Sequence, residues 1–251
     1  MPAQLRRPPR AAPDLDATQG LGPAPEASRG AQKGRTSATG AGNPSPASSN
    51  ADAMDRMLRK TTDPETIYAD HQKHTEAMTT ELSADQANDV KNFRAHYEKN
   101  AARYEKVGKE TGLPAPLIAA IHWRESHGNF NTYLHQGDPL GKPAVHEPTD
   151  IPLFTEWEPA AVHALKQKSN VAKSLAMDKD TTDLAAMATY AEFYNGLGYR
   201  QHGVESPYVY SGTDQYTGGK YNADGQFSAK SRDQQTGVLP LIESVDPGKQ
   251  G

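Results

Sequence analysis

The chain has 251 residues, no cysteine and a formal net charge of −4. A charge this close to neutral argues against a dedicated nucleic-acid-binding protein, which would carry a basic stripe. The absence of cysteine excludes disulfides, and no apolar run approaches the ~18 residues that would span a bilayer. We therefore expect a soluble protein whose partners include neither nucleic acid nor a membrane.

Residues 1–50 differ in composition from the rest. They contain eight of the nineteen prolines, ten alanines and no aromatic residue, and they carry six basic and three acidic side chains. Such a segment buries too little apolar surface to offset the entropy of ordering it, so we predict a disordered tail. It is either a passive tail or a segment for export or packaging. It contains arginines but no apolar core after them, which does not fit a Sec-type signal peptide.

We predict one domain over residues 51–251, with its core at about 63–240. Asp63 and Pro64 are typical of the N-terminus of a helix, which we expect to run to about Leu82. Ser83 and Gln86 then predict a capping box for a second, longer helix, which Gly112 ends. In that helix four apolar residues recur at helical spacing and predict a buried stripe: Phe93, Tyr97, Tyr104 and Val107.

Beyond Gly128 the sequence predicts shorter elements. A stretch rich in Pro and Gly over 129–152 indicates short strands and loops, and further helices are expected at about 155–168 and 181–195. Residues 196–227 show no helical period and predict a long structured loop or irregular β region, the kind of segment that often carries function. A short helix is expected near 238–245. The predicted fold class is mainly α.

The segment LPAPLIAAIHWRESHG, residues 113–128, carries the chemistry. Leu117, Ile121 and Glu125 are four residues apart and lie on one face of the predicted helix, and Ile118 joins the same stripe. Burial and the negative end of the helix dipole both favour the protonated form of the Glu125 carboxyl. Such an acid can protonate a glycosidic oxygen. The alternative is a solvated glutamate at a fraying helix end, paired with an arginine or histidine.

The stretch IHWRESHG resembles the catalytic segment of the lysozyme superfamily, closest to goose-type lysozymes and lytic transglycosylases. A second element, AEFYNGLGY at 191–199, is similar to the Ala-Tyr-Asn-x-Gly helix end of lytic transglycosylases. The resemblance covers roughly residues 85–230. It implies a lysozyme-like helical domain with Glu125 as the general acid and with Ser126, Tyr194 and Asn195 as substrate-binding residues.

The chain departs from this family after the acid, because the usual Gly-Leu-Met-Gln stretch is missing and GDPLGKPAVHEPTDIPLF follows instead. Goose-type lysozymes carry acidic residues downstream that position a water, and Asp138 and Asp150 are the candidates here. Both precede or follow prolines in loops, so they are alternatively turn residues.

Five tyrosines of the late irregular region are candidates for stacking on sugar rings, or else they pack that region against the helices: Tyr199, Tyr208, Tyr210, Tyr216 and Tyr221. We selected Tyr199 and Tyr210 as substrate-binding candidates. His122 and His127 are five residues apart and no HExxH motif is present, so no metal site and no cofactor are expected.

The sequence therefore predicts a muramidase that cleaves the β-1,4 bond between N-acetylmuramic acid and N-acetylglucosamine in peptidoglycan. The alternatives are a lytic transglycosylase and, from another class, a catalytically silent glycan-binding or structural component of a phage tail or secretion apparatus. We expect synthesis in the cytoplasm and action on the cell wall, as a phage-associated enzyme or an antibacterial secreted effector. A secretion machine or phage particle, and an immunity protein, are the expected protein partners.

Overall fold

The computed structural model of the chain describes residues 61–146, 148–223, 225–246 and 248. The predicted tail, residues 1–50, lies outside the described residues, as do residues 51–60. The described part is mainly helical. Its elements in chain order are α1 (Pro64–Ala77), α2 (Ala84–Thr111), α3 (Ala115–Ser126), α4 (Trp157–Lys166), α5 (Ser169–Ser174), α6 (Leu184–Asn195), α7 (Gly198–Gln201), α8 (Pro207–Tyr210), β1 (Lys220–Ala223), β2 (Gln226–Ser228) and α9 (Val238–Ser244).

Helix α1 begins as predicted, with the Asp63 carboxylate accepting a hydrogen bond from the backbone N–H of Thr66 at 2.9 Å. Its predicted end at Leu82 is wrong, because the helix stops at Ala77. The following residues pair with a distant loop instead. Thr79 exchanges two hydrogen bonds with Asp214 at 2.9 and 3.0 Å. Helical periodicity in a sequence depends on local spacing and does not predict such tertiary pairing.

Helix α2 has both ends that the sequence predicts. Ser83 and Gln86 form the reciprocal capping box, and Gly112 ends the helix in the left-handed conformation at φ 72°. The predicted stripe faces the core, with three of its members buried and Tyr97 packed against them. The long helix therefore forms one wall of the domain.

Helix α3 is the centre of the core. Almost every residue from Ala115 to Glu125 is buried, since small and apolar side chains occupy all of its faces. It packs against α2, α6 and α9. The predicted stripe of Leu117, Ile118 and Ile121 is fully buried, and Glu125 lies at its end.

The second half of the chain follows the predicted order with one addition. Helices α4 and α6 fall within the predicted ranges, and α5 is a further short helix between them. Residues 196–227 contain two four-residue helical turns, α7 and α8, and a two-stranded antiparallel hairpin in which Tyr221 lies opposite Phe227. Turns this short show no period in sequence. Within the described residues, no helix is both long enough and apolar enough to cross a membrane.

Candidate active site

Glu125 lies in the last turn of α3 and is 9% exposed. The hydroxyl of Tyr208 donates a hydrogen bond to its Oε1 at 3.1 Å. Glu125 is therefore a buried residue and not the solvated glutamate of the alternative prediction. Its hydrogen bond to Tyr208 gives the carboxyl a defined orientation, and proton transfer to a ligand depends on such geometry.

The chain turns sharply just after Glu125. His127 and Gly128 are both left-handed, at φ 52° and 70°. The N–H of His127 bonds to the carbonyl of Trp123, and that of Gly128 to the carbonyl of His122. A Cβ at position 128 would lie 2.5 Å from the ring of His96 on α2. Glycine is therefore required here by both conformation and space.

Tyr208 reaches Glu125 from the short helix α8. Pro207 begins this turn, since its fixed φ suits the first helical position. Helix α8 packs against α6 and α9, which are neighbours of α3. The guanidinium carbon of Arg124 lies 5.0 Å from the centroid of the Tyr208 ring, in cation–π geometry. Arg124 therefore contacts the ring of Tyr208, and the adjacent Glu125 contacts its hydroxyl.

Arg124 is buried and makes an ion pair with Asp233 at 2.9 Å. Its other hydrogen bonds go to the carbonyls of Gln235 and Thr236, at 3.1 and 3.2 Å. Burial alone would raise the pKa of Asp233, but the charge of Arg124 and the hydrogen bond from Lys220 outweigh it and hold that pKa below its usual value. The carboxylate therefore stays ionised in the core.

Tyr194 and Asn195 end α6, which packs against α3. The Tyr194 hydroxyl donates to the carbonyl of Leu134 at 2.9 Å, so it fixes the turn that follows the α3 segment. The Nδ2 of Asn195 is buried and has no hydrogen-bond partner among the described residues. Leaving a buried donor unpaired costs about 1–3 kcal/mol, which makes this amide a candidate ligand contact.

Asp138 is buried and holds a loop together. Its carboxylate accepts hydrogen bonds from the backbone N–H groups of Val145 and His146, at 2.7 and 2.9 Å, and from the His146 ring at 2.5 Å. Burial would raise the pKa of Asp138, yet these hydrogen bonds lower it below its usual value. The contacts favour the role of a turn residue. Asp150, the other candidate, is exposed on the same loop.

The remaining predicted site residues have packing contacts. Ser126 donates weakly to the carbonyl of His122, at 3.4 Å. Tyr199 packs edge-to-face on Tyr221 of the hairpin. Tyr210 is fully buried, and its hydroxyl lies 2.6 Å from Nδ1 of His71. For these two tyrosines the structure favours packing over sugar stacking.

A second buried ionic network lies around α6. Glu192 is buried and pairs with Arg200 at 2.9 Å and with the Nε2 of His71 at 2.8 Å. Arg200 also bonds to Asp70 on α1. These groups join α1, α6 and α7. Among the described residues, no three His, Asp or Glu side chains lie close enough together to hold a metal ion.

No protein-family model, no curated protein and no solved structure matches the chain. The resemblance to the lysozyme superfamily therefore rests on the two sequence elements alone.

Sequence reasoning named Glu125 but did not assign Tyr208 to it, and it missed Asp233. Tyr208 is one of the five candidate tyrosines, among which Tyr199 and Tyr210 were preferred for substrate binding. No local signal marks Asp233, because it meets Arg124 across 109 positions.

Proposed function

We propose that the chain is a lysozyme-like glycosidase that cleaves the β-1,4 bond between N-acetylmuramic acid and N-acetylglucosamine in peptidoglycan. The observation that carries the proposal is the carboxyl of Glu125 at the end of a buried helix, oriented by the hydrogen bond from Tyr208 in a residue that is 9% exposed. In the first step Glu125 donates its proton to the glycosidic oxygen as the bond from that oxygen to C1 breaks.

The groups around the acid support this assignment. Tyr208 donates a hydrogen bond to Oε1 of Glu125 and so orients the carboxyl. The unpaired Nδ2 of Asn195 suits the carbonyl of an acetamido group, an acceptor that both N-acetylglucosamine and N-acetylmuramic acid carry. This donor favours an N-acetylated glycan over one without acetamido groups.

The fate of the cleaved sugar defines two candidate reactions. In a muramidase, a water adds to C1, and an inverting enzyme needs a second carboxylate about 6.5–9.5 Å from the acid to activate that water. In a lytic transglycosylase, the C6 hydroxyl of the same sugar attacks C1, and Glu125 takes up the proton of that hydroxyl. The product is then a 1,6-anhydro sugar.

The contacts of Asp138 favour the second candidate. Three hydrogen bonds from its own loop occupy the carboxylate, which can accept about four in all. A carboxylate that already accepts three hydrogen bonds has little capacity left to take a proton from water. A single-glutamate mechanism needs no such base.

Two measurements test the proposal. Digestion of purified murein separates an enzyme from a catalytically silent glycan-binding or structural component, because only the enzyme releases soluble fragments. Mass spectrometry of those fragments then separates the two reactions. Free reducing ends indicate a muramidase, and fragments lighter by one water indicate a transglycosylase.

A further inference from the structure

The buried ion pair between Arg124 and Asp233 lies one residue from the candidate acid. The Arg124 side chain is 3% exposed, and its Nη2 lies 2.9 Å from Oδ2 of Asp233. Its Nη1 donates to two backbone carbonyls of the segment 235–236. In return, the side-chain amide of Gln235 donates to the carbonyl of Arg124 at 2.9 Å. The segment 233–236 is thus bound directly to the last turn of α3.

Asp233 extends this connection to the rest of the late region. Its Oδ1 accepts from Nζ of Lys220 on β1 at 2.9 Å. Its backbone N–H donates to the Tyr216 hydroxyl at 2.9 Å, and its carbonyl accepts from Ser211 at 3.1 Å. Through its carboxylate and its backbone, Asp233 therefore joins the hairpin, α3 and the segment that follows α8.

Tyr208 connects this pair to the acid. The guanidinium of Arg124 lies over the Tyr208 ring at 5.0 Å, while the hydroxyl of the same ring donates to Glu125. A displacement of Arg124 would therefore move the donor that orients the carboxyl. Lysine cannot reproduce this arrangement, because it lacks the planar group that stacks on a ring and donates in several directions at once.

We propose that Arg124, fixed by Asp233, is a positioning residue that places Tyr208 against Glu125. This inference rests on the proposed function, since the orientation of Glu125 matters only if it transfers a proton. It differs from a purely structural role in one respect. A structural pair would affect the amount of folded protein, whereas a positioning pair affects turnover in protein that is fully folded.

The test compares Arg124→Lys with Tyr208→Phe, the double variant, and Arg200→Lys as a matched control. Arg200 is an equally buried arginine, and its ion pairs go to Glu192 and Asp70. All variants are made in the full chain. Each is assayed on soluble murein fragments at a temperature well below the melting temperature of the variant. Asp233→Asn, which keeps the shape of the pair, repeats the test if Arg124→Lys does not fold.

We expect Arg124→Lys to lower kcat roughly 10–100-fold with little change in KM, because a small misplacement of the reacting groups has that effect. The double variant should be no slower than the slower single variant, since both changes disturb one contact. Arg200→Lys should keep the wild-type kcat. Wild-type kcat in Arg124→Lys, an equal loss in Arg200→Lys, or multiplying losses in the double variant would each overturn the inference.

A second readout does not need activity. In protein labelled with 13C-tyrosine, the ring resonance of Tyr208 is identified as the one that Tyr208→Phe removes. It should shift in Arg124→Lys and remain unchanged in Arg200→Lys. If the wild type does not cleave murein but this shift occurs, the proposed function fails while the positioning contact stands. If murein is cleaved and the resonance does not move, the positioning inference alone fails.

Discussion

The hydroxyl of Tyr208 donates a hydrogen bond to Oε1 of Glu125 across 83 positions of sequence. This contact joins the end of the central helix α3 to the short helix α8. It gives a carboxyl at a helix end a defined orientation.

Tyr208→Phe tests that contact most simply, because it removes the hydroxyl and keeps the ring. Because the hydroxyl orients the carboxyl, its loss misplaces the proton donor, and we expect kcat on murein fragments to fall roughly tenfold or more. Tyr221→Phe is the control, since it removes a hydroxyl that bonds to the Gly198 carbonyl and should leave kcat unchanged. Equal rates for Tyr208→Phe and wild type would show that the contact plays no part in turnover.

The ends and the burial of the central helices could be predicted from sequence, because the causes are local. Ser83, Gln86 and Gly112 act within one helical turn, and the spacing of Leu117 and Ile121 fixes a buried face. The early end of α1 could not be predicted. It depends on pairing between Thr79 and Asp214, which are far apart in the chain.

The candidate site likewise has one part that the sequence predicts and another that depends on tertiary contacts. Glu125 is found from helical spacing and from its resemblance to known enzymes. Its contact with Tyr208 and the ion pair next to it depend on how α8 and the segment 233–236 return to α3. No pattern in either segment predicts that return.

Asp138→Asn separates the two roles proposed for Asp138. Because the carboxylate accepts two backbone N–H groups and the His146 ring, we expect a loss of about 1–3 kcal/mol in the free energy of unfolding. Turnover measured in folded protein should be kept, and the products should be unchanged. A tenfold loss of turnover with normal binding of chitooligosaccharide would instead make Asp138 the base that activates water.

Acid should weaken the ion pair between Arg124 and Asp233. The pKa of Asp233 is lower in the folded protein than its ordinary value of 3.8. Its charge therefore contributes full stability above about pH 4, and that contribution is lost as the pH falls through the folded-state value. Urea unfolding at a series of pH values should show a smaller decline in acid for Asp233→Asn than for wild type. Parallel curves would mean that the pair contributes nothing to the pH dependence.

Gly128→Ala should be far more damaging than Gly141→Ala, although both glycines are left-handed, at φ 70° and 77°. An alanine in this conformation costs about 1–2 kcal/mol at either position. Only at position 128 would the new Cβ also collide with the His96 ring, while nothing lies within 4 Å at position 141. The clash adds about 1–3 kcal/mol. Equal midpoints of urea unfolding for the two variants would show that the turn after Glu125 accommodates a Cβ without a steric clash.

Glu125→Gln tests the central claim most directly. The amide keeps the shape of the side chain but cannot donate the carboxyl proton, and general acid catalysis contributes about 10²–10⁴ in rate. Glu158→Gln is the matched control. It neutralises a carboxylate of α4 that forms an ion pair with Arg103 of α2. The measurement is the release of soluble fragments from purified murein, quantified by mass spectrometry at equal folded concentrations. We predict that Glu125→Gln releases at least a hundredfold less than wild type and Glu158→Gln about the same. Release at the wild-type rate by Glu125→Gln would contradict the account.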